Sequence, residues 1–229
     1  MTRAARLLLL LSPFVLWGCA FTDHEVQLPR TGGSARVFEG KGRPIAVVGP
    51  FSDKRAIADR VGMKKNGYGI ETASVRCAGN PAAWVEERLI AGLQASGFTV
   101  LTGDLASQVS GAVRIEGELV KLFGEAVVGS YTSNVETDVH VRLIATLPSG
   151  RRAERIVYVK GISPSSANLL YFAAAPMSDG DFDESLRDAT QRLMSELVRS
   201  ISELLDRDPT LEASVTAAEA PAGTERRRP

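Results

Sequence analysis

The most restrictive feature of the sequence is a strict alternation of side-chain character between residues 135 and 147. Apolar or β-branched residues occupy every second position from Val135 to Leu147, and residues such as Glu136, Asp138 and Arg142 stand between them. Successive side chains of a β-strand point to opposite faces, so the pattern predicts an antiparallel strand with one face in water. The fold must therefore supply a sheet whose other face is covered.

Shorter apolar or alternating runs predict the rest of this sheet. Residues 112–122 place Val113, Ile115 and Leu119 on one face, and a turn at 148–150 joins the alternating strand to residues 154–160 as a hairpin. The β-branched run at 44–51 has the composition of a buried strand. Further strands are predicted at residues 98–101 and, as a possible addition, at residues 70–75.

A first helix is predicted to begin at Pro81. The Asn80 side chain can accept hydrogen bonds from the first free amides, and proline at the first helical position loses no hydrogen bond. Gly97 then suits the left-handed position that ends a helix. One side of the helix carries residues at helical spacing, namely Trp84, Val85, Leu89, Leu93 and Ser96.

A second helix is predicted from Phe182 to Leu205, where apolar residues form a long stripe. Asp179, Asp181 and Asp183 crowd its start, where negative charge is favourable. Their spacing is also that of a calcium loop, but the later bidentate acid of such a loop is missing. The predicted class is α+β, a mostly antiparallel sheet of about five strands with two main helices on one face, within residues 44–206.

The first twenty residues have a different character. Arg3 and Arg6 precede an apolar stretch at residues 7–17, whose 11 residues fall short of the roughly 20 that a membrane-spanning helix needs. The stretch ends in Leu16-Trp17-Gly18-Cys19, which resembles the bacterial lipobox. That resemblance implies a signal peptide at residues 1–18, cleavage between Gly18 and Cys19, and a diacylglyceryl group on the Cys19 thiol. A plain secretory signal cut near Ala20 is the alternative.

Lipidation of Cys19 would attach the chain to a membrane without a transmembrane helix, since two or three fatty chains give a stable anchor. The resemblance to bacterial lipoproteins also implies the outer membrane, because Ala20 follows the cysteine where those retained in the inner membrane often carry aspartate. Residues 19–43 contain four glycines and are predicted to be a flexible tether that reaches about 27 Å, with an edge strand at 25–28 as the alternative. The tail at 207–229 has no apolar period and is predicted to be disordered.

The charge balance and the chemically reactive residues limit the classes of function that we expect. The chain has 27 basic and 27 acidic residues, so no global field attracts nucleic acid. Once Cys19 is lipidated, Cys77 has no intrachain partner and is predicted to be a buried, inert thiol, with adduct formation or intermolecular pairing as alternatives. His140 shares its exposed face with charged side chains and is predicted to be an ordinary solvent-facing residue and not a metal ligand. We therefore expect no enzyme, no metal and no cofactor.

Two segments are candidates for binding. One is a basic loop after the first strand, which could meet phosphate headgroups, lipopolysaccharide or an acidic partner; the alternative is a solvated loop that Asp53 and Arg55 tie together. The other is an apolar run set in a loop region, with burial under the last helix as its alternative. The basic candidates are Lys54, Arg55, Arg60, Lys64 and Lys65, and the apolar candidates are Leu169, Leu170, Tyr171 and Phe172.

Three short motifs, together with the lipobox, resemble the YajG-type family of small bacterial lipoproteins. They are Phe51-Ser52-Asp53-Lys54-Arg55, the glycine-bearing segment at residues 61–69, and Leu93-Gln94-Ala95-Ser96-Gly97-Phe98. The resemblance implies a periplasmic α+β domain at the outer membrane with no assigned catalysis. The expected function is a lipid-anchored binding or assembly module whose partners are the membrane and an envelope protein complex or lipid headgroups. An auxiliary lipoprotein of an envelope lipid or export transporter is the alternative, and a hydrolase is a weaker one.

Overall fold

The computed structural model describes residues 22–28, 44–47, 51–65, 69–101, 112–128, 133–147, 149–163 and 179–207. Nine strands in these ranges form a single sheet, and two helices accompany it. The helices are α1 (Pro81–Ala95) and α2 (Asp179–Asp206). The strands are β1 (His24–Val26), β2 (Pro44–Val47), β3 (Ser52–Asp53), β4 (Gly62–Lys65), β5 (Glu71–Cys77), β6 (Thr99–Leu101), β7 (Val113–Val128), β8 (Ser133–Thr146) and β9 (Arg152–Ile162).

The long strand β7 is the centre of the sheet. Along one side it pairs antiparallel with β8, which in turn pairs antiparallel with β9. Along its other side lie three short parallel strands in succession, β2, β3 and β4. β5 then adds antiparallel to β4, and β1 adds parallel to β5. β6 pairs parallel with β2.

The predicted α+β class with two helices is confirmed, but the predicted sheet of about five mostly antiparallel strands needs correction. The described sheet is mixed, because β2, β3 and β4 all run in the direction of β7. These strands span only two to four residues. The apolar run at 44–51 predicted β2, but β3 and β4 are too short to show a period of two, so the sequence pattern did not reveal them.

The start of α1 follows the predicted capping. The Asn80 Oδ1 accepts hydrogen bonds from the amides of Ala82 and Ala83, at 3.0 and 3.4 Å, and Pro81 is the first helical residue. Gly97 has a φ of 81° and ends the helix. Both helices contribute to one hydrophobic core, in which α2 covers β8 and β9 while α1 contacts β3, β6 and β7.

Close backbone approach fixes the position of α2 on the sheet. A Cβ atom added at Gly161 of β9 would lie 2.1 Å from the carbonyl oxygen of Ser185 and 2.3 Å from the amide nitrogen of Ala189. Both contacts are with helix backbone, which cannot rotate away as a side chain could. Glycine at this position therefore sets the distance between α2 and β9.

The first described residues belong to the sheet. β1 lies in register with β5, with His24 beside Val75 and Val26 beside Cys77. The sequence pattern had placed these residues in a tether at 19–43, with an edge strand as the alternative. The folded domain thus begins well before residue 44.

Several predictions concern residues outside the described ranges. They are the cleavage site at Gly18 and Cys19, the apolar candidates Leu169, Leu170, Tyr171 and Phe172, and the tail from residue 208 onward. In the part of the chain that the structure describes, neither helix has the length and apolarity that crossing a bilayer requires.

Candidate functional site

A buried polar cluster, which we call the N-terminal junction, joins β1, β4 and the first turn of α2. Its centre is Lys64, whose side chain is 2% exposed. The Lys64 Nζ lies 2.6 Å from Asp179 Oδ1 and donates a hydrogen bond to the carbonyl of Thr22 at 2.9 Å. His24 lies beside it, with Nδ1 3.4 Å from Asp179 Oδ2 and Nε2 3.5 Å from Asp183 Oδ1.

The local structure explains why a lysine is buried there. In β4, Gly62 and Lys64 face inward while Met63 and Lys65 are half exposed, so the pleat directs the Lys64 side chain towards α2. A buried ammonium group is costly unless it is paired. The carboxylates at the start of α2 supply that pairing, and the helix dipole favours their charge at the same place.

Further contacts hold the same segment against β5. The Asp23 Oδ1 accepts a hydrogen bond from the amide of Ser74 at 2.9 Å, and its Oδ2 lies 3.7 Å from Arg76 Nη2. Residues 22–26 are therefore fixed to the domain by backbone pairing, by the junction and by this ion pair. The chain just after the proposed lipid site is part of the folded domain.

The predicted basic loop is organised around Arg55. Its side chain is 3% exposed and is paired with Asp53, with Nε 3.0 Å from Oδ1 and Nη2 2.9 Å from Oδ2. The same guanidinium donates to the carbonyls of Ala58 and Arg60 at 3.0 and 3.2 Å. The hydrogen bond from Arg55 holds the pKa of Asp53 below its ordinary value. Arg55 therefore holds the loop in shape.

The other basic candidates do not form one positive surface. Arg60 pairs with Glu71, Lys65 pairs with Glu125, and Lys64 is buried in the N-terminal junction. Lys54 is exposed. Most of the basic charge on this loop is thus neutralised by carboxylates of the domain itself, which weakens its attraction for phosphate groups.

The loop borders an open cavity of about 300 Å³ at the start of α1, which Asp53, Arg55, Arg60, Cys77 and Asn80 help to line. Cys77 is the free cysteine of the described residues and is half buried. Burial raises the pKa of its thiol, which disfavours the thiolate needed for nucleophilic attack.

The outer face of the sheet holds His140. Its ring meets that of Tyr158 edge to face, at 4.6 Å between centroids, and burial with the nearby Lys121 charge lowers the pKa of the imidazole. Across the described ranges, no group of three His, Cys, Asp or Glu side chains is placed to hold a metal ion.

Comparison with solved structures finds a similar fold. The chain resembles a protein from Xanthomonas campestris of the family DUF330. The TM-score is 0.50 at 14% sequence identity, and the match covers 81% of this chain and 98% of that one. This likeness establishes a shared fold. No family model matches the sequence, and no curated protein matches it.

Two further solved structures match at lower TM-scores. A putative neuraminyllactose-binding hemagglutinin homolog from Helicobacter pylori gives 0.38 at 10% identity, covering 83% of this chain and 97% of that one. A minor lipoprotein from Acinetobacter baumannii gives 0.35 at 14% identity, covering 52% of this chain and 84% of that one. Of these three structures, the one of the family DUF330 is similar enough to support the fold.

Proposed function

We propose that this chain is a lipid-anchored lipoprotein of the bacterial envelope, attached through Cys19 to the outer membrane. Its domain acts as a non-catalytic binding or assembly module on the periplasmic side. The lipobox-like Leu16-Trp17-Gly18-Cys19 after a short apolar run supports the anchor. The motifs at residues 51–55, 61–69 and 93–98 support kinship with the YajG-type lipoproteins.

The pairing of β1 with β5 supports a further proposal, namely how close the domain lies to the membrane. His24 is already part of the sheet, so five residue steps separate it from Cys19. A fully extended chain covers at most about 3.5 Å per residue, so these steps span about 17 Å. The polar headgroup layer itself takes up roughly 6 Å of that distance on each side of a bilayer. The domain is thus held against the membrane surface instead of hanging clear of it.

The short link also gives the domain an orientation. β1 lies level with Gly124 of β7, because His24 pairs with Val75, Val75 with Gly62, and Gly62 with Gly124. The turn between β8 and β9 lies beyond Thr146, whose partner in β7 is Arg114. The ten residues between those two positions of β7 span about 33 Å of strand. The junction end therefore faces the headgroups, and the β8–β9 turn points into the periplasm.

Membrane attachment is tested by substituting Cys19 with serine. The Cys19→Ser precursor should stay uncleaved or leave the membrane fraction, whereas Cys77→Ser should behave as wild type. Mass spectrometry of the mature N-terminus should find a diacylglyceryl-modified Cys19, and density separation of the two envelope membranes should place the protein in the outer one. Unchanged cleavage and fractionation of Cys19→Ser would refute the anchor.

The orientation is tested separately with fluorescent labels in a Cys77→Ser background. A label at Arg76→Cys, beside β1, should be quenched by headgroup-level quenchers in vesicles that carry the lipidated protein. The matched label at Ser149→Cys, in the β8–β9 turn, should be quenched far less. Equal quenching at both positions would contradict the short link while leaving the anchor itself intact.

A binding or assembly role predicts specific neighbours in the envelope. Chemical crosslinking of the native protein in whole cells should give discrete adducts that depend on Cys19. Recovery of an envelope transporter would favour the auxiliary-lipoprotein alternative, and recovery of lipid alone would favour headgroup binding.

A further inference from the structure

The β8–β9 turn end of the sheet, opposite the N-terminal junction, carries three exposed arginines. They are Arg114, Arg151 and Arg152, and within the described ranges none of them lies in an ion pair. Elsewhere in these ranges most basic side chains are matched by a carboxylate of the domain, as Lys121 is by Asp138. We call Arg114, Arg151 and Arg152 the arginine cluster.

The strand register brings the cluster together. Thr146 of β8 pairs with Arg114 of β7 on one side and with Arg152 of β9 on the other. Directly opposite residues share a face of the sheet, and neighbouring strands lie about 4.8 Å apart, so the Cα atoms of the two arginines are about 10 Å apart. Arg151 is held beside them by the turn, because its carbonyl accepts a hydrogen bond from the amide of Leu147 at 2.9 Å. The three arginines therefore lie at one end of the domain.

The surrounding charges leave this end of the domain positive. The next outward-facing carboxylates along β7 and β9 are those of Glu116 and Glu154. Glu154 is already bound to Arg142, at 2.9 Å between Oε1 and Nε, and Arg155 is matched by Glu203 at 4.0 Å. Among the described residues Glu116 is in no ion pair, so three unpaired positive charges against one unpaired negative charge leave a surplus of two. The whole chain, with 27 basic and 27 acidic residues, has no such surplus.

The surface beside the cluster lacks the apolar centre of a protein interface. Of the described residues of β9, the exposed large apolar side chain nearest to Arg152 is that of Ile156, four positions and about 13 Å along the strand. In β7 the corresponding residue is Val120, six positions and about 20 Å from Arg114. Stable protein interfaces are built around buried aromatic or aliphatic anchors. Exposed arginines without such anchors instead suit a polymer that carries many separate negative charges.

We propose that the arginine cluster binds the carboxylates of the cell-wall polymer, peptidoglycan. A guanidinium group presents its N–H donors as a planar fork that matches a carboxylate at two points. The stem peptides of peptidoglycan repeat such carboxylates, so arginines about 10 Å apart can bind several of them at once. The proposal rests on the proposed orientation, which turns this end of the domain away from the outer membrane and into the periplasm, where the wall lies.

Binding is tested by sedimentation with isolated peptidoglycan sacculi, which are insoluble. The full mature chain, purified from envelopes in detergent, should pellet with sacculi at low ionic strength and stay in solution at about 0.5 M salt, where charges are screened beyond about 4 Å. Arg114→Gln with Arg152→Gln should raise the apparent dissociation constant about tenfold or more, since each change removes charge-assisted hydrogen bonds. Arg187→Gln in α2, which replaces an exposed arginine outside the cluster, is the matched control and should bind as wild type. All variants should melt within about 2 °C of wild type.

Chemical blocking of the sacculi tests the ligand chemistry. Amidation of their carboxylates with a carbodiimide and an amine should abolish binding, whereas sacculi treated with the amine alone should bind as before. Wild type that stays in solution with untreated sacculi at low salt would overturn the proposal, and so would binding that Arg114→Gln with Arg152→Gln leaves unchanged. Binding that survives amidation would overturn carboxylate recognition. The assay contains no membrane, so its failure is distinct from failure of the anchor, which the fractionation of Cys19→Ser reports.

Discussion

Replacing Lys64 with methionine should destabilise the domain and release its first strand. Methionine keeps most of the aliphatic stem of lysine, so the substitution removes mainly the contacts of the ammonium group. Removing one partner of a fully buried ion pair costs about 3–5 kcal/mol, and an exposed pair is worth about 0–1 kcal/mol. Lys64 is 2% exposed and Asp179 is 48% exposed, so we expect about 2 kcal/mol from the pair. The lost hydrogen bond to the Thr22 carbonyl adds about 1 kcal/mol.

The total of about 3 kcal/mol corresponds to a fall in melting temperature of about 6–12 °C for a domain of this size. Urea unfolding should measure it, and hydrogen exchange should show faster exchange at residues 22–28 than at β8. Lys65→Met is the matched control, because Lys65 pairs with Glu125 at the surface and its replacement should cost below about 1 kcal/mol. The double variant Lys64→Met with Asp179→Asn should recover part of the loss. Equal effects of Lys64→Met and Lys65→Met would refute the junction as the clamp on β1.

Three other predictions follow from single contacts. Gly161→Ala should cost about 3 kcal/mol in urea unfolding, because its Cβ would overlap helix backbone. Gly92→Ala in α1, whose added Cβ would meet only a methyl group of Val198 in α2 at 3.2 Å, should stay within about 1 kcal/mol of wild type. Asp53→Asn should lose most stability near neutral pH. The folded pKa of Asp53 is lowered by Arg55, so the carboxylate stabilises the fold above its ordinary pKa of 3.8, and the difference between the two proteins should shrink as the pH falls below about 4. A thiol reagent should modify Cys77 in the native protein more slowly than in the urea-unfolded chain, since burial raises its pKa; equal rates would contradict that environment.

Local patterns in the sequence were sufficient for the elements that carry their own signals. The alternation from residue 135 predicted β8, and the Asn80-Pro81 pair predicted the start of α1 together with its cap. The aspartates before Phe182 predicted the charged first turn of α2. In each case the deciding interaction lies within a few residues, as capping, turn formation and strand alternation all do.

The candidate site depends on contacts between distant residues, which local patterns do not encode. Lys64 lies in a run whose basic composition predicts exposure, yet it meets Asp179 and Thr22 across the fold. His24 was placed in a tether because three residues are too few to show a strand. The alternation of buried and exposed positions in β4 is the one signal that could have placed Lys64 inside, and it covers only four residues.

The apolar residues Leu169 to Phe172 lie outside the described ranges, but residues on both sides of the undescribed stretch are placed. Ser163, at the end of β9, approaches Asp181 of α2, with 3.4 Å between Oγ and Oδ1. The amide of Ser163 also bonds to Val135 at the junction end of the sheet. The two described flanks, Ser163 and the start of α2, therefore lie at the end that we propose to face the headgroups.

Whether these apolar residues contact lipid or a partner, or are buried beneath α2, stays a prediction that two measurements separate. A fluorescent label at Tyr171→Cys, in the Cys77→Ser background, should be quenched by headgroup-level quenchers as strongly as the label beside β1. Replacing Leu169, Leu170 and Phe172 with serine should leave the melting temperature within about 2 °C, because side chains outside the core contribute little to stability. Loss of the cooperative melt would instead assign these residues to the core. An unquenched label with an unchanged melt would leave a protein partner as their contact.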